Sequence, residues 1–547
     1  MKILLEGGTV YDGTGSSPIQ ADVFLDSGMI QRVLPRGGEG NRESQLLKEK
    51  LPNGKIRRLD VRGKAVAPGF IDAHRHGDYA VLTDPDFGEA ELAQGITTVL
   101  FGNCGMSAVP TAPESRKAWL DFMEPCLGKV PEGKTLSTFQ EYFQEVERQK
   151  APLQTGVLVG MGSIKTAIKG FSSLPWSENE IRMGQEMIGE ALEAGAMGIS
   201  CGIMYIPESY STTEEYVKLL KPATAYRRPL CCHMRNEGDH LVKAVDEVIE
   251  IGQRTGLPIN ISHFKVFGRR NWKRTLDCAI EHIEKAREKG QDITVDFYPY
   301  TGGATTLMTL IPPCCIKETV DETLAFLSTE KGVALLRNEI RREQRGWDNM
   351  VQSIGWERVL INYAPRNKEY QGLTVPQICQ KMGEKDEAAC MARILVEEQG
   401  NVGVIVMSMD PEDVDRVARL PYASVISDSL YGAPEFPHPR SYGAFPKVLR
   451  EYVRERRIMR AQEAIHKMSG FTAKRFGMKD RGQIKEGLRA DINVLDLEAI
   501  RDTATFQKPR ALAEGMDYVI VNGNVVWDHG KINRSYPAGV LRADNFR

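Results

Sequence analysis

Ala67-Pro-Gly-Phe-Ile-Asp-Ala-His-Arg-His-Gly-Asp78 is the stretch that decides the fold. A basic, polar run at 55–64 precedes it, and its apolar start gives way to two histidines one residue apart, His74 and His76. Side chains alternate faces along an extended chain, so positions i and i+2 point the same way. His-x-His at the carboxyl end of a strand therefore directs two imidazoles at one point, which suits a zinc-like ion. Such a pair also arises by chance on solvated loops. The rest of the chain gives it weight.

Outward from this strand, strand-like and helix-like runs alternate, the pattern of a parallel sheet with helical crossovers. The strand-like runs are 69–76, 97–104, 156–162, 196–202, 229–234, 258–265, 293–300 and 423–428, and helical periodicity is clearest at 178–194 and 240–255. Eight such strands close a (β/α)8 barrel. Both chain ends read as short β segments. Residues 4–13 carry a Gly-Gly pair expected as a hairpin turn, 518–527 carry Asn522-Gly523 at a second turn, and 490–496 supply a neighbouring strand. Each is too short to bury a face alone, so 1–66 and 481–547 are expected to pair into one small β domain beside a barrel at 67–480. One connection, about 305–421, is much longer than the rest and is expected to be a lid or inserted subdomain. It holds charged, helix-like stretches at 339–345 and 381–398 and apolar runs at 359–363 and 402–407.

Composition narrows the function classes. At 547 residues the chain exceeds what one core usually covers. Its 71 basic and 73 acidic residues balance to a net charge of -2, so there is no electrostatic case for nucleic acid or anionic lipid as partner. The N-terminal apolar run is too short for a signal peptide, and no stretch approaches the roughly 20 apolar residues of a membrane span. Ten cysteines, with adjacent pairs at Cys231/Cys232 and Cys314/Cys315, do not form a disulfide framework. These features predict a cytoplasmic protein with a small-molecule substrate and no membrane or nucleic-acid partner.

In a barrel the carboxyl ends of the strands converge on one face. There the sequence places His74 and His76, Cys104 in Phe-Gly-Asn-Cys-Gly, His233 in Cys-Cys-His-Met-Arg-Asn-Glu-Gly, His263 in Ile-Ser-His-Phe-Lys, and Asp428 in Ile-Ser-Asp-Ser. A single histidine in such a place is commonly a satisfied polar group. Four of the nine histidines, with a thiol and a carboxylate, on five turns of one pattern point instead to a metal centre. Asp428 alone also reads as a helix N-cap, since Ser-Asp-Ser is good capping chemistry.

The motif order HxH, Asn-Cys-Gly, His-x-Arg-x-Glu-Gly, Ser-His-x-Lys, Ser-Asp resembles the N-acyl-D-amino-acid deacylase (D-aminoacylase) branch of the amidohydrolase superfamily. The resemblance runs nearly end to end and takes in Phe-Tyr-Pro-Tyr-Thr-Gly-Gly at 297–303, Phe-Pro-His-Pro-Arg-Ser-Tyr-Gly-Ala-Phe-Pro at 436–446 and Gly-Gln-Ile-Lys-Glu-Gly-Leu-Arg-Ala-Asp-Ile at 482–492. It implies an α/β fold, a metal-dependent (β/α)8 TIM barrel with a small β-sandwich domain formed from both chain termini. It implies zinc-dependent hydrolysis of a linear amide, N-acyl-D-amino acid to carboxylate plus D-amino acid. By the same resemblance Cys104, His233 and His263 hold one tightly bound zinc. His74, His76 and Asp428 line a second, weaker position that Cys104 can bridge, and Asp428 is the general base and then acid. Lys265, Tyr298 and Arg440 match positions that bind the substrate's free carboxylate, for which arginine offers a planar fork.

Each of these three has a plainer reading: a solvated strand end for Lys265, core packing for Tyr298, a surface salt bridge for Arg440. Lys265 follows His263 by two residues and is expected to share its face of the strand. Glu237 reads either as support for a metal ligand or as a solvated loop acid, and Glu208 as a rim acid without a role. Two places depart from the family pattern. Gly160-Met-Gly-Ser-Ile-Lys165 stands where Gly-His-Gly/Ser followed by Arg is common, and Ala304 stands where a small hydroxyl residue is expected. Both bear on specificity rather than on hydrolysis. Two other functions use the same residues: a cyclic amide hydrolase of hydantoinase or dihydroorotase type, and a non-catalytic, metal-retaining binding protein. The 305–421 segment is alternatively a homo-oligomer contact.

Overall fold

The computed structural model describes residues 2–50, 56–131, 133–317, 319–342 and 347–543. Its centre is a sheet of eight parallel strands: β1 (Phe70–Asp72), β2 (Ile96–Phe101), β3 (Gln154–Gly160), β4 (Gly198–Gly202), β5 (Leu230–His233), β6 (Ile259–Ile261), β7 (Ile293–Phe297) and β8 (Ala423–Val425). They lie side by side in chain order. Every strand-like run of the sequence is present, mostly shortened, because the last residues of most runs leave the ladder and turn over the barrel mouth. β1 and β8 do not pair along their lengths. Past their ends, a parallel bridge joins Arg75 to Ser429. His76 N donates to Ser429 O at 2.9 Å and Asp428 N to His74 O at 2.9 Å, so the opening stretch itself closes the barrel.

The strands are buried throughout because both faces are covered. Inward, Ile71, Leu100, Leu158, Met197 and Cys231 form a layer completed by Phe476, Met478 and Leu541. Outward, Val99, Val159, Ile199, Leu230, Ile259 and Val295 pack into the main core with the surrounding helices. Two of those are Glu178–Glu193 and Leu241–Thr255. The first starts where Ser177 accepts from Glu180 N and Glu180 reaches back in a capping box.

Strands from both chain ends form a nine-stranded sheet in which Ile492–Leu495 pairs with Ala65–Pro68, and that in turn with Ile3–Val10. Its core is its own, built from Ile3, Leu5, Val23, Leu25, Ile492, Val494 and Ile520. The Asn522-Gly523 turn is present, with φ of +50° and +73°, as a tight hairpin requires. The Gly7-Gly8 hairpin is not. Ile3–Val10 is one strand, and the glycines make a bulge in its pairing with Ile19–Asp26. Gly7, at φ +81°, supplies the left-handed residue that a bulge uses as readily as a turn does. The N-terminal segment also contains a helix, Gly38–Lys50, where only strands were expected.

In the long connection, Gly303–Thr306, Val359–Tyr363 and Gly403–Val406 form an antiparallel three-stranded sheet. Helices cover it around a separate core that includes Leu307, Leu324, Ile361, Ile378, Leu395 and Val404. The helix expected at 339–345 ends at Glu339, and 343–346 lie outside the described residues. The 381–398 stretch is two helices, Val375–Met382 and Glu387–Glu397, separated at Gly383 (φ +69°). Among the described residues no helix is long and apolar enough to cross a membrane.

Candidate metal centre and active site

The site forms where the chain leaves each strand. Cys104, His263 and Asp428 have φ of +52°, +36° and +51°, a left-handed region costly for side-chain-bearing residues and kept only where surroundings over-determine it. The sharp turns bring together side chains that straight strands would carry past one another. Cys104 Sγ lies 3.3 Å from His74 Nε2 and 3.5 Å from His263 Nε2. Two groups of three donors result, His74, His76, Cys104 and Cys104, His233, His263, with the ligand atoms of each within 4.8 Å of one another. The thiol belongs to both. Asp428 faces them, with Oδ1 3.5 Å from His74 Nε2 and 3.4 Å from His76 Nε2.

These donors fit a divalent ion of zinc's character. Both ring nitrogens of His233 are buried with no hydrogen-bond partner among the described residues, an arrangement a folded chain tolerates only where something else completes it. Thiolate with imidazole selects zinc over magnesium or calcium. Burial holds His74, His233 and His263 well below the usual imidazole range, so they stay neutral and able to ligate. Burial also pushes the Cys104 thiol well up, with Asp428 adding to it; a cation at the thiol would reverse that direction. Burial alone would push Asp428 up, but Arg440, His76 and His74 together hold it well below the ordinary carboxylate range. It is therefore ionised, as a proton acceptor must be.

A second tier of carboxylates orients the first. Asp296, at the end of β7, accepts from His263 N at 2.5 Å and from Asn260 Nδ2 at 2.6 Å, and its Oδ1 lies 4.0 Å from His74 Nδ1. Burial pushes it up to about 7. Glu237 is buried, with Oε1 3.0 Å from His263 Nδ1 and 2.6 Å from Lys265 Nζ. The solvated-loop reading of Glu237 is thereby overturned, and Asp296, adjacent to Phe297-Tyr-Pro-Tyr, is a residue the sequence reading missed. Glu208 is also buried. It sits beneath the Cys104-Gly105 turn rather than at the rim, accepting from Gly202 N at 3.0 Å and Tyr216 Oη at 2.7 Å. A Cβ on Gly105 would meet Glu208 Oε1 at 1.7 Å, which is why that position is glycine.

On the opposite face from the two histidines, Arg75 is buried against Asp72 (3.2 Å) and Glu91 (2.8 Å). It donates to the Tyr431 hydroxyl, which donates in turn to Glu91. Asp428 caps no helix: its backbone joins the barrel closure, and the next helix begins at Arg440. Arg440 is fully buried rather than on the surface, 2.9 Å from Asp428 Oδ2 and stacked over Tyr298, its guanidinium without hydrogen-bond partners among the described residues. Lys265 meets His263, as expected, but not by strand alternation. β6 has already ended at Ile261, and a turn through His263 carries the ammonium to its Nδ1 at 3.0 Å.

These side chains open onto a cavity of about 50 Å³ lined by His76, Cys104, Tyr205, His233, Glu237, His263, Lys265, Tyr298, Ala304, Met350 and Asp428, among others. The model of the amidohydrolase family matches residues 410–527. The D-aminoacylase of Alcaligenes xylosoxydans xylosoxydans is 31% identical over 541 residues, covering 98% of this chain and 97% of that one. The chain belongs to the D-aminoacylase family of amidohydrolases. A structure of N-acyl-D-glutamate deacylase from Bordetella bronchiseptica, complexed with zinc and a phosphonate that mimics the tetrahedral intermediate, superposes with a TM-score of 0.80 at 30% identity, over 99% of both chains. A D-aminoacylase structure concerned with a binuclear metal centre, one-metal activation and second-metal attenuation, matches with a TM-score of 0.77 at 30% identity, over 99% of both. Of the two departures from the D-aminoacylase pattern, Ala304 lines the cavity. Lys165 does not: it is buried between Trp176 and Tyr210 and donates to Ser211 Oγ at 2.8 Å.

Proposed function

We propose that this enzyme hydrolyses the amide of N-acyl-D-amino acids with a zinc ion held by Cys104, His233 and His263. His74, His76 and Asp428 line a second, weaker position. The observation that carries the reading is the single thiol, Cys104 Sγ, within 3.5 Å of imidazoles from both groups. When bound, zinc supplies Lewis acidity, lowering the pKa of water and polarising a carbonyl. One ion suffices for this chemistry, and the protein works on small molecules in the cytoplasm.

The chain's own residues do the rest. Asp428, ionised beside Arg440, takes the proton of the attacking water and returns it to the departing nitrogen. Its Oδ1 faces His74 and His76 while Oδ2 faces Arg440, so the reacting oxygen is held in one rotamer. Glu237 and Asp296 fix the His263 ring and backbone, as carboxylates behind ligating histidines commonly do. Lys265 and Tyr298, both on the cavity wall, receive the substrate carboxylate, and Arg440 behind Tyr298 adds positive charge to the same corner. A hydantoin has no carboxylate for that corner, which favours the linear amide over a hydantoin ring. An ionised, proton-accepting Asp428 favours catalysis over mere metal retention. Metal analysis followed by a screen of N-acyl D- and L-amino acids beside hydantoins tests the proposal. Turnover of D-substrates only by metal-loaded protein is expected, and activity confined to rings would refute it.

A further inference from the structure

Beside the catalytic cavity, over the ends of β4 and β5, lies a second hollow of about 250 Å³. The two share Met204, Tyr205 and Met350, so these three side chains form the partition. Beyond it the wall is largely apolar, with Ile203 and Ile206 from the barrel and Met308, Ile311 and Ile316 from the inserted segment. The charged groups there are already engaged. Arg235 donates to Glu247 and to the carbonyls of Ser209 and Ser211. Asp348 accepts from the amides of Glu237, Gly238 and His240. Neither charge is spare for a carboxylate or an ammonium, and an uncompensated polar group would be expensive to bury there. The fitting occupant is hydrocarbon.

Of the partition residues, Tyr205 is fixed. Its ring lies 4.6 Å from that of His233 and its hydroxyl 3.4 Å from Thr305 Oγ1. Met204 and Met350 are unbranched thioethers that change rotamer at little cost. A change of rotamer there would join the hollow to the cavity. In an N-acyl-amino acid the carboxylate and the side chain leave the same carbon, whereas the acyl chain leaves the other side of the amide. Lys265 and Tyr298, which take the carboxylate in the reading above, line the catalytic cavity and not the hollow. Resting on that reading, we infer that the hollow is an acyl-chain subsite and that long, unbranched fatty acyl groups are preferred over acetyl. Ala304, lining the cavity where a hydroxyl residue is expected, keeps the approach apolar.

The test is kcat/KM for acetyl, butanoyl, octanoyl and dodecanoyl derivatives of D-leucine, with acetyl derivatives of several D-amino acids alongside. Each buried methylene is worth up to about fourfold, so octanoyl should exceed acetyl by about tenfold or more, chiefly through KM. Ser209→Trp, or Ile316→Trp if the first does not fold, fills the hollow. Either should abolish the gain while leaving acetyl turnover within about twofold. A flat or falling series overturns the inference, as does a rise that survives both fillings or one that follows only the amino-acid side chain. Absence of turnover on every derivative, acetyl included, overturns the deacylase reading itself.

Discussion

Glu208→Gln isolates the energetic cost of the buried acid beneath the Cys104 turn. Burial pushes this carboxyl from 4.5 up to about 7, against the opposing pull of its bonds to Tyr216 and Gly202 and of Lys165. The native state therefore holds a proton that the unfolded chain releases, and stability falls as pH rises from about 4.5 through about 7. At about 1.4 kcal/mol per pH unit, the wild type should lose about 2 to 3 kcal/mol from this group between pH 5 and pH 8. Glutamine keeps the acceptor for Gly202 N and a polar partner for the Tyr216 hydroxyl but cannot ionise. Chemical denaturation of both metal-loaded proteins at the two pH values reads the difference directly, because titration of the ligands is common to both. The variant should be close to wild type at pH 5 and more stable by about 2 to 3 kcal/mol at pH 8. A difference that is the same at both pH values would refute the assignment of a raised Glu208.

Gly105→Ala places a methyl 1.7 Å from Glu208 Oε1 at a φ of +75°, and should cost about 3 kcal/mol or more with lowered metal content; a melting temperature unchanged from wild type would contradict the packing. Cys104→Ala should retain less than one equivalent of zinc and lose turnover, checked by elemental analysis beside the assay; full activity in metal-depleted protein would remove the ion from the mechanism. Asp428→Asn should keep the zinc bound by the other group yet lower kcat by about 10²–10⁴, and an unaltered kcat would take the proton transfer away from this residue. Tyr431→Phe removes the hydroxyl between Arg75 and Glu91 and should cost about 1–3 kcal/mol by thermal melting, with zinc content unchanged.

Much of the barrel was legible because fully buried parallel strands leave continuous apolar runs, and because their ends carry chemically conspicuous residues such as His74, His76 and Cys104. What sequence could not supply was the way the chain leaves a strand. His263 and Lys265 were expected on one face by alternation, yet a left-handed turn does the work. The same limit hid the bulge at Gly7-Gly8, since glycine marks positive φ without saying whether the ladder stops there. Asp296 escaped, and Glu237 stayed between two readings, for another reason. Acids are common at loop starts, and only the contact with His263 distinguishes these two from solvated ones. Arg440 is further still, since its burial depends on Tyr298 and Asp428, which reach it from the turns after two barrel strands.

Because the first and last barrel strands meet past their ends, at the Arg75–Ser429 bridge and through the bonds from His76 to Ser429 and from Asp428 to His74, the ring's seam and the proposed reactive centre are one place. During synthesis the two early imidazoles wait more than three hundred residues for Asp428 to emerge. A chain halted anywhere before that point has an unsealed ring and lacks the proposed catalytic acid, so truncated products are expected to be inactive. Sealing the ring and bringing Asp428 to the other donors are one step.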